Sequence, residues 1–316
     1  MLLLLEFSMM GIALYKRLNP STCFKLIFLL VIVLSTATLT TWAQSTNRQI
    51  AFVGEHQGGL YLLNYSTLQL QKVNVGLPEV GDLDYSPEQK RLAFEGSGGH
   101  HQNGSLYLLN LNDLKKERIF SGDSVKKPLY RPKFDPLGQH LYAVNYFEGI
   151  KKYSLSKKTW EPILVRGIPS INPQGLAFSK SGQRVAISPG DLRGLLIATV
   201  KESTFYVEEH ILADLSCTPP QWINEQTLIF AGRKAPGLQY LWKFDLQSKN
   251  LTQLTTSPMG TRDHLSLSRD GKTIVFTGTD ENFEWRIWEI MTDGTQLRKL
   301  TKGGNLTSHL SPVWIE

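Results

Sequence analysis

The chain has 316 residues, 41% of them apolar, and carries 34 Lys and Arg against 28 Asp and Glu for a formal charge of +6. That apolar content builds a sizeable core, and a charged fraction of only 20% excludes a disordered polyelectrolyte. The basic residues are scattered in small pairs such as Lys115-Lys116 and Lys157-Lys158, without the clustering on one face that nucleic-acid binding needs.

The N-terminus reads as a targeting segment. Lys16, Arg17 and Lys25 precede an apolar run from Leu26 to Leu34, and Thr41-Trp42-Ala43 places small residues at −3 and −1 before Gln44. A positive region, a short apolar core and a small-residue cleavage site make a secretory signal peptide, so residues 1–43 are expected to direct export to the periplasm or the medium. Taken from Phe24 to Ala43, the apolar stretch approaches the ~20 residues of a membrane span, and an uncleaved N-terminal anchor stays open as a second reading. Cys23 lies in this segment and Cys217 is alone in the remainder, so residues 44–316 contain no intramolecular disulfide; Cys217 reads as a small buried residue.

From residue 50 onward the chain repeats. Tyr85, Phe134, Phe178, Trp222, Leu267 and Trp314 recur at intervals of 49, 44, 44, 45 and 47 residues, each followed by a short polar turn. An apolar run follows each of the first five turns: LAFEG (92–96), LYAVN (141–145), VAISP (185–189), LIFAG (228–232) and IVFTG (274–278). A third run comes next, as in LYLLNL (106–111) and RIWEIM (286–291), and a more polar fourth, as in KERIF (116–120). Short runs rich in β-branched and aromatic residues between Gly, Pro, Asn and Asp are strands, and a period of roughly 40–45 residues with four strands is that of a propeller blade. The fold expected for 44–316 is therefore all-β, a six-bladed β-propeller of four-stranded blades.

The ends supply the closure. IAFVGEHQGGLYLLNYSTLQLQKV (50–73) provides second, third and fourth strands without a first, and HLSPVWIE (309–316) provides a first strand with nothing after it. Pairing the C-terminal strand with the N-terminal three completes a blade and removes the exposed edges that invite aggregation.

Ser268-Arg269-Asp270-Gly271, with weaker copies at Tyr85-Ser86-Pro87-Glu88, Phe134-Asp135-Pro136-Leu137-Gly138 and Phe178-Ser179-Lys180-Ser181-Gly182, resembles the Ser-Pro-Asp-Gly turn of the TolB-like propellers, and Ser311-Pro312-Val313-Trp314 matches their Pro-x-Trp element. The resemblance covers 50–316. It implies a propeller and an envelope protein, but only Gln44 to Gln49 stand between the leader and the first strand, so the α/β domain that precedes the propeller in TolB is not expected.

Catalytic signatures are missing. The sequence holds no Gly-x-Ser-x-Gly elbow, Walker loop, His-Glu-x-x-His or Cys-x-x-Cys, and His100-His101 offers two ligands where a zinc site needs more. No cofactor and no catalytic residue are expected. The binding surface is expected at the tunnel mouth where the first strands begin. Three positions before each column residue stand Asp82, Arg131, Gly175, Pro219, His264 and Ser311; four before stand Gly81, Tyr130, Gln174, Thr218, Asp263 and Leu310. The polar members, Asp82, Tyr130, Arg131, Gln174, Asp263 and His264, with His309 one step further out, are the candidate ligand or partner site, set against the alternative that water and mutual ion pairs satisfy them. The expected function is a non-catalytic exported scaffold whose partner is another envelope protein or a small peptide or glycan. The alternative rests on a further resemblance, to oligogalacturonate lyases, which coordinate a metal in the tunnel through His and Gln; His264 and Gln174 would be the positions concerned.

Overall fold

A computed structural model of the chain describes residues 48–54, 58–97, 104–122, 128–168, 171–234, 237–256, 260–303 and 308–316, with the backbone alone at Asp263. The leader and His100-His101 lie outside the described residues. Among the described residues there is no helix, and none long and apolar enough to cross a membrane.

The strands of the described residues group into six four-stranded antiparallel units, here blades 1 to 6. From the inside outward, blade 1 is His309–Ile315, Gln49–Gly54, Gly59–Asn64 and Leu70–Val73, and blade 2 is Glu79–Ser86, Arg91–Ser97, Ser105–Asn110 and Lys116–Phe120. Blade 3 is Tyr130–Phe134, His140–Asn145, Gly149–Ser154 and Thr159–Arg166, and blade 4 is Pro173–Phe178, Arg184–Pro189, Leu195–Lys201 and Thr204–Ile211. In blade 5, Ser216–Cys217 and Gln221–Trp222 share the inner place beside Thr227–Arg233, Tyr240–Asp245 and Leu251–Gln253; blade 6 is Thr261–Leu267, Thr273–Thr279, Trp285–Met291 and Arg298–Lys299. The inner strands touch in cyclic order, blade 1 to 2 and onward through blade 6 back to blade 1. The fold is a β-propeller.

Its physics is sheet-on-sheet packing. The second strand of each blade is covered on both faces by neighbouring blades, so its central residues are buried in succession instead of alternating: Thr273–Thr279 is buried at every residue. Outer strands alternate, as Thr204–Ile211 does, because one face meets water. The column residues fill the seams. Tyr85 packs against the core of blades 1 and 2 and Phe134 against Ala93 and Leu108 of blade 2; Trp222 joins Ala177 and Ala186 of blade 4, and Trp314 joins Val275 and Ile287 of blade 6. Each turn after the column is capped as its residues demand. Gly138, Gly182 and Gly271 adopt φ of 63°, 72° and 72° and donate their N–H to the carbonyl three residues back at 2.8–2.9 Å, a geometry that glycine adopts without Cβ strain.

The ring closes as the two ends anticipate, with Ile50 opposite Trp314 and Gln49 opposite Ile315. One junction departs from the repeat. The outer strands of blades 3 and 4 pair in parallel, Leu164 to Arg166 against Thr204 to Tyr206, so these two blades share one eight-stranded sheet.

Trp314 is 4% exposed, its ring stands 5.1 Å from that of Tyr65, and its backbone N–H donates to Ser266 Oγ at 3.2 Å. Trp314→Ala should cost roughly 3–5 kcal/mol of stability, and removal of residues 309–316 should cost more, because it strips the inner strand from blade 1. Denaturant unfolding of both variants checks this; wild-type stability in the truncated chain would contradict the closure.

Candidate functional site

Inner strands are not regular at the end where they begin. The ladder between inner and second strand slips between Val80 and Leu83, Tyr130 and Lys133, Pro173 and Gly175, and Thr261 and Leu265, and in blade 1 beside Ser311. In blade 5 the strand is interrupted outright, at Thr218-Pro219-Pro220, because proline cannot donate to the ladder. Each irregularity is bulge-like: it places an extra residue at the mouth and re-aims its side chain. Arg131 and Ser311 take φ of 52° and 51°, a left-handed conformation that costs a non-glycine residue energy and marks a local constraint.

The result is a ring. Asp82, Arg131, Gly175, Pro219, His264 and Ser311, one from each blade, line the tunnel together. Asp82 is the hub: Arg131 Nε stands 3.4 Å from its Oδ2, His264 Nε2 lies 3.0 Å from its Oδ1, and Ser311 Oγ donates to Oδ1 at 3.2 Å. Gly175 is required here, since a Cβ on it would stand 2.5 Å from Pro219 Cγ and 3.5 Å from Arg131 Cδ; the arginine stem lies across the mouth. One layer deeper, Lys133 Nζ pairs with Asp84 Oδ1 at 2.7 Å and reaches Gln221 Oε1 at 3.4 Å, while Asp84 Oδ2 accepts the Phe134 N–H at 2.8 Å. The enclosed space at this level is about 60 Å³, room for a few waters and for no sugar ring or peptide.

Glu95 joins the cluster from the second strand of blade 2, accepting the Arg131 N–H at 2.6 Å. Its burial, and next the charge of Asp82, raise its pKa well above the ordinary carboxylate value. Tyr130 and Tyr146 stack beside it, ring centroids 4.8 Å apart, and burial raises both phenols, with Glu95 adding to the rise.

Of the residues expected at the mouth, the structure brings Asp82, Arg131 and His264 into the tunnel ring. Tyr130 flanks it on the tyrosine stack. Gln174 is exposed and does not line the tunnel; its side chain lies over Gly190. Asp263 belongs to the inner strand of blade 6, and its side chain is outside the described residues. His309 is not on the rim. It is 1% exposed, turned into the seam between blades 6 and 1, with Nδ1 2.6 Å from Thr301 Oγ1 and its ring 5.1 Å from that of Phe52. Cys217 is buried, and burial pushes its thiol up to about 12, which leaves it inert. Sequence reasoning missed Glu95, Tyr146 and the exposed aromatics Phe147 and Phe283, 80% and 77% exposed, on the hairpins between second and third strands of blades 3 and 6. An aromatic in a polar hairpin, Tyr146-Phe147-Glu148-Gly149 or Glu281-Asn282-Phe283-Glu284, was the available signal.

The burial of His309 has a pH consequence. Desolvation, and next the Arg286 guanidinium, pull its pKa from 6.5 down to about 4. The folded state therefore keeps the ring neutral while the unfolded chain takes up a proton, so stability is full above pH 6.5 and declines as pH falls from 6.5 towards 4. His309→Gln should flatten that part of the profile of melting temperature against pH; an unchanged slope would show that another group sets it.

No family model matches the chain, and no curated protein does. Solved structures do. TolB from Acinetobacter baumannii aligns over 85% of this chain and 67% of its own with 16% identity and a TM-score of 0.67, and a putative TolB from Agrobacterium tumefaciens over 81% and 89% with 14% identity and a TM-score of 0.58. An oligogalacturonate lyase in complex with manganese aligns over 83% of this chain and 76% of its own with 11% identity and a TM-score of 0.51. At such identities the likeness is one of fold: the chain folds as a TolB-like β-propeller. Among the described residues Gln174 stands outside the tunnel, and no group of three His, Cys, Asp or Glu that could hold a metal occurs.

Proposed function

We propose that the protein is a non-catalytic, exported scaffold that binds a partner protein of the cell envelope at the tunnel end where the inner strands begin. Antiparallel pairing puts the hairpins between second and third strands at that same end. Four successive blades carry exposed apolar side chains there, Phe147, Leu192, Leu238 and Phe283, at 80%, 43%, 45% and 77% exposure. That collection around a charged mouth carries the reading, because apolar groups rimmed by polar ones mark interaction surfaces. The tunnel ring supports a partner over a small glycan, since its charges are already paired and its space holds only water. A partner that covers the mouth would instead exchange these ion pairs at its own polar groups and seat its apolar residues on the hairpins. The leader, with its cleavage site before Gln44, supports export; intact-mass measurement of protein from the envelope fraction should give an N-terminus at Gln44, and a mass retaining Leu26 to Leu34 would favour the anchor.

The binding test compares Phe147→Ser, Phe283→Ser and Arg131→Gln with the wild type in capture from envelope extract, with melting temperature as the control for folding. Exposed aromatics at the centre of an interface are typically worth ~2 kcal/mol or more, so each hairpin variant should weaken capture at least about tenfold with melting unchanged. Undiminished capture in all three variants would move the binding surface off this face.

A further inference from the structure

The opposite end of the tunnel has a different chemistry. There the turns that follow the column residues surround an open cavity of about 430 Å³. Three cations face it, Lys133 from blade 3, Lys180 from blade 4 and Arg269 from blade 6. Lys133 is committed to Asp84 at 2.7 Å. Lys180 and Arg269 are not committed: neither side chain has a hydrogen-bond or ion-pair partner among the described residues. They also converge. The Lys180 ammonium reaches past blade 5 to the turn that carries Arg269, where it lies 3.7 Å from the place a Cβ on Gly271 would occupy. That turn is held in place from behind, since the Arg269 N–H donates to Glu316 Oε2 at 2.6 Å.

The acids lining the cavity equal the cations in number, but none of them is ion-paired with Lys180 or Arg269. Asp84 is held by Lys133 and by the Phe134 N–H. Asp135 accepts the N–H groups of Gln139 and His140 and faces the His140 ring at 2.9 Å. Glu88 accepts the Ser86 hydroxyl at 3.5 Å. The lining thus holds three cations and three carboxylates, and Lys180 and Arg269 are the two cations that no carboxylate of the wall engages. The remaining wall is half apolar: Pro87, Pro136 and the Phe178 ring, with the Tyr85 phenol beside them. Burial and Glu88 raise the pKa of that phenol, so it keeps its proton as a donor.

We infer that this cavity is a second binding site, for a compact organic ligand carrying a single carboxylate, gripped by Lys180 and Arg269 with its apolar body against Phe178 and the two prolines. An anion that reaches both side chains makes a charge-assisted hydrogen bond with each, and the planar guanidinium is suited to both carboxylate oxygens. The carboxylates of Glu88 and Asp135 in the same wall repel a second negative charge, which favours a carboxylate over a dianionic phosphate. This site is independent of the partner-binding face at the other mouth, and its test separates the two.

The probe is benzoate, titrated into isotopically labelled full-length protein and followed by amide chemical shifts, with benzamide as its neutral counterpart and phenyl phosphate as the dianion. Benzoate should shift the amides of the turns around Phe178 and Arg269 in a saturable way, while benzamide should not. Lys180→Gln and Arg269→Gln should each weaken benzoate roughly tenfold or more, the scale of one charged hydrogen bond. Both side chains are exposed and the Glu316 cap is to the backbone, so both variants should melt as the wild type does. Arg131→Gln, at the other mouth, should leave benzoate binding unchanged. Absence of saturable shifts, equal binding of benzamide, tighter binding of phenyl phosphate, or full affinity in both variants would each overturn the proposal.

Discussion

No blade of this molecule owns its core. The apolar side chains that hold it together lie in the seams between neighbouring sheets, so every seam needs both of its walls, and the last wall is supplied by the last strand. His309–Ile315 serves two seams at once. Trp314 goes into the core shared with Val275, Ile287 and Leu300 of blade 6, while Val313 and Ile315 face Leu92 and Phe94 of blade 2. Alternation along one strand thus joins the two ends of the chain to both neighbours. The same place holds the buried His309 and the fully buried Arg286 with Asp280 at 3.3 Å, ionic and neutral polar groups that are tolerable there only because they satisfy one another.

Packing the inner strands into a ring has a second effect. Six strands converging on one axis crowd their side chains, and the crowding is relieved by small residues and by irregular backbone. Gly175, Pro219 and Ser311 are the small members of the ring, and the slipped ladders rotate Asp82, Arg131 and His264 inward. Charges gathered so closely must pair, and here they pair across blades: Asp82 of blade 2 with Arg131 of blade 3 and His264 of blade 6. Those bridges tie non-adjacent parts of the sequence together, and they narrow the space at this level to about 60 Å³.

Much of this was legible in the sequence because a repeat averages out local ambiguity. One aromatic before a polar turn says little, but six at near-constant spacing locate the seams, and counting back three residues from each names the tunnel ring. Counting back four was less informative: Tyr130 flanks the ring, but Gln174 lies outside it, because the slip in each ladder changes which side chain faces the axis, and alternation cannot be carried through a bulge. His309 was misplaced for the same reason, since the strand is irregular beside Ser311 and the imidazole turns under blade 6. The parallel pairing of blades 3 and 4 left only a faint trace, the greater length of Thr159–Arg166 and Thr204–Ile211. Side chains that meet from different strands, such as Glu95 with the Arg131 backbone, have no signature in a single sequence.

The two tunnel ends are chemically unlike because different parts of the repeat build them. Hairpins between second and third strands differ in length and residue from blade to blade, and at that end two of them carry exposed aromatics. The turns after the column are short, capped by Ser, Asp or Asn and in three blades set by glycine, so their side chains are held at repeatable positions around the axis. A variable, apolar rim suits an extended partner surface, whereas rigidly placed groups around a small cavity suit a small ligand. Between the two stand the Asp82–Arg131 and Asp84–Lys133 layers, which leave each end to act as a separate surface of one rigid ring.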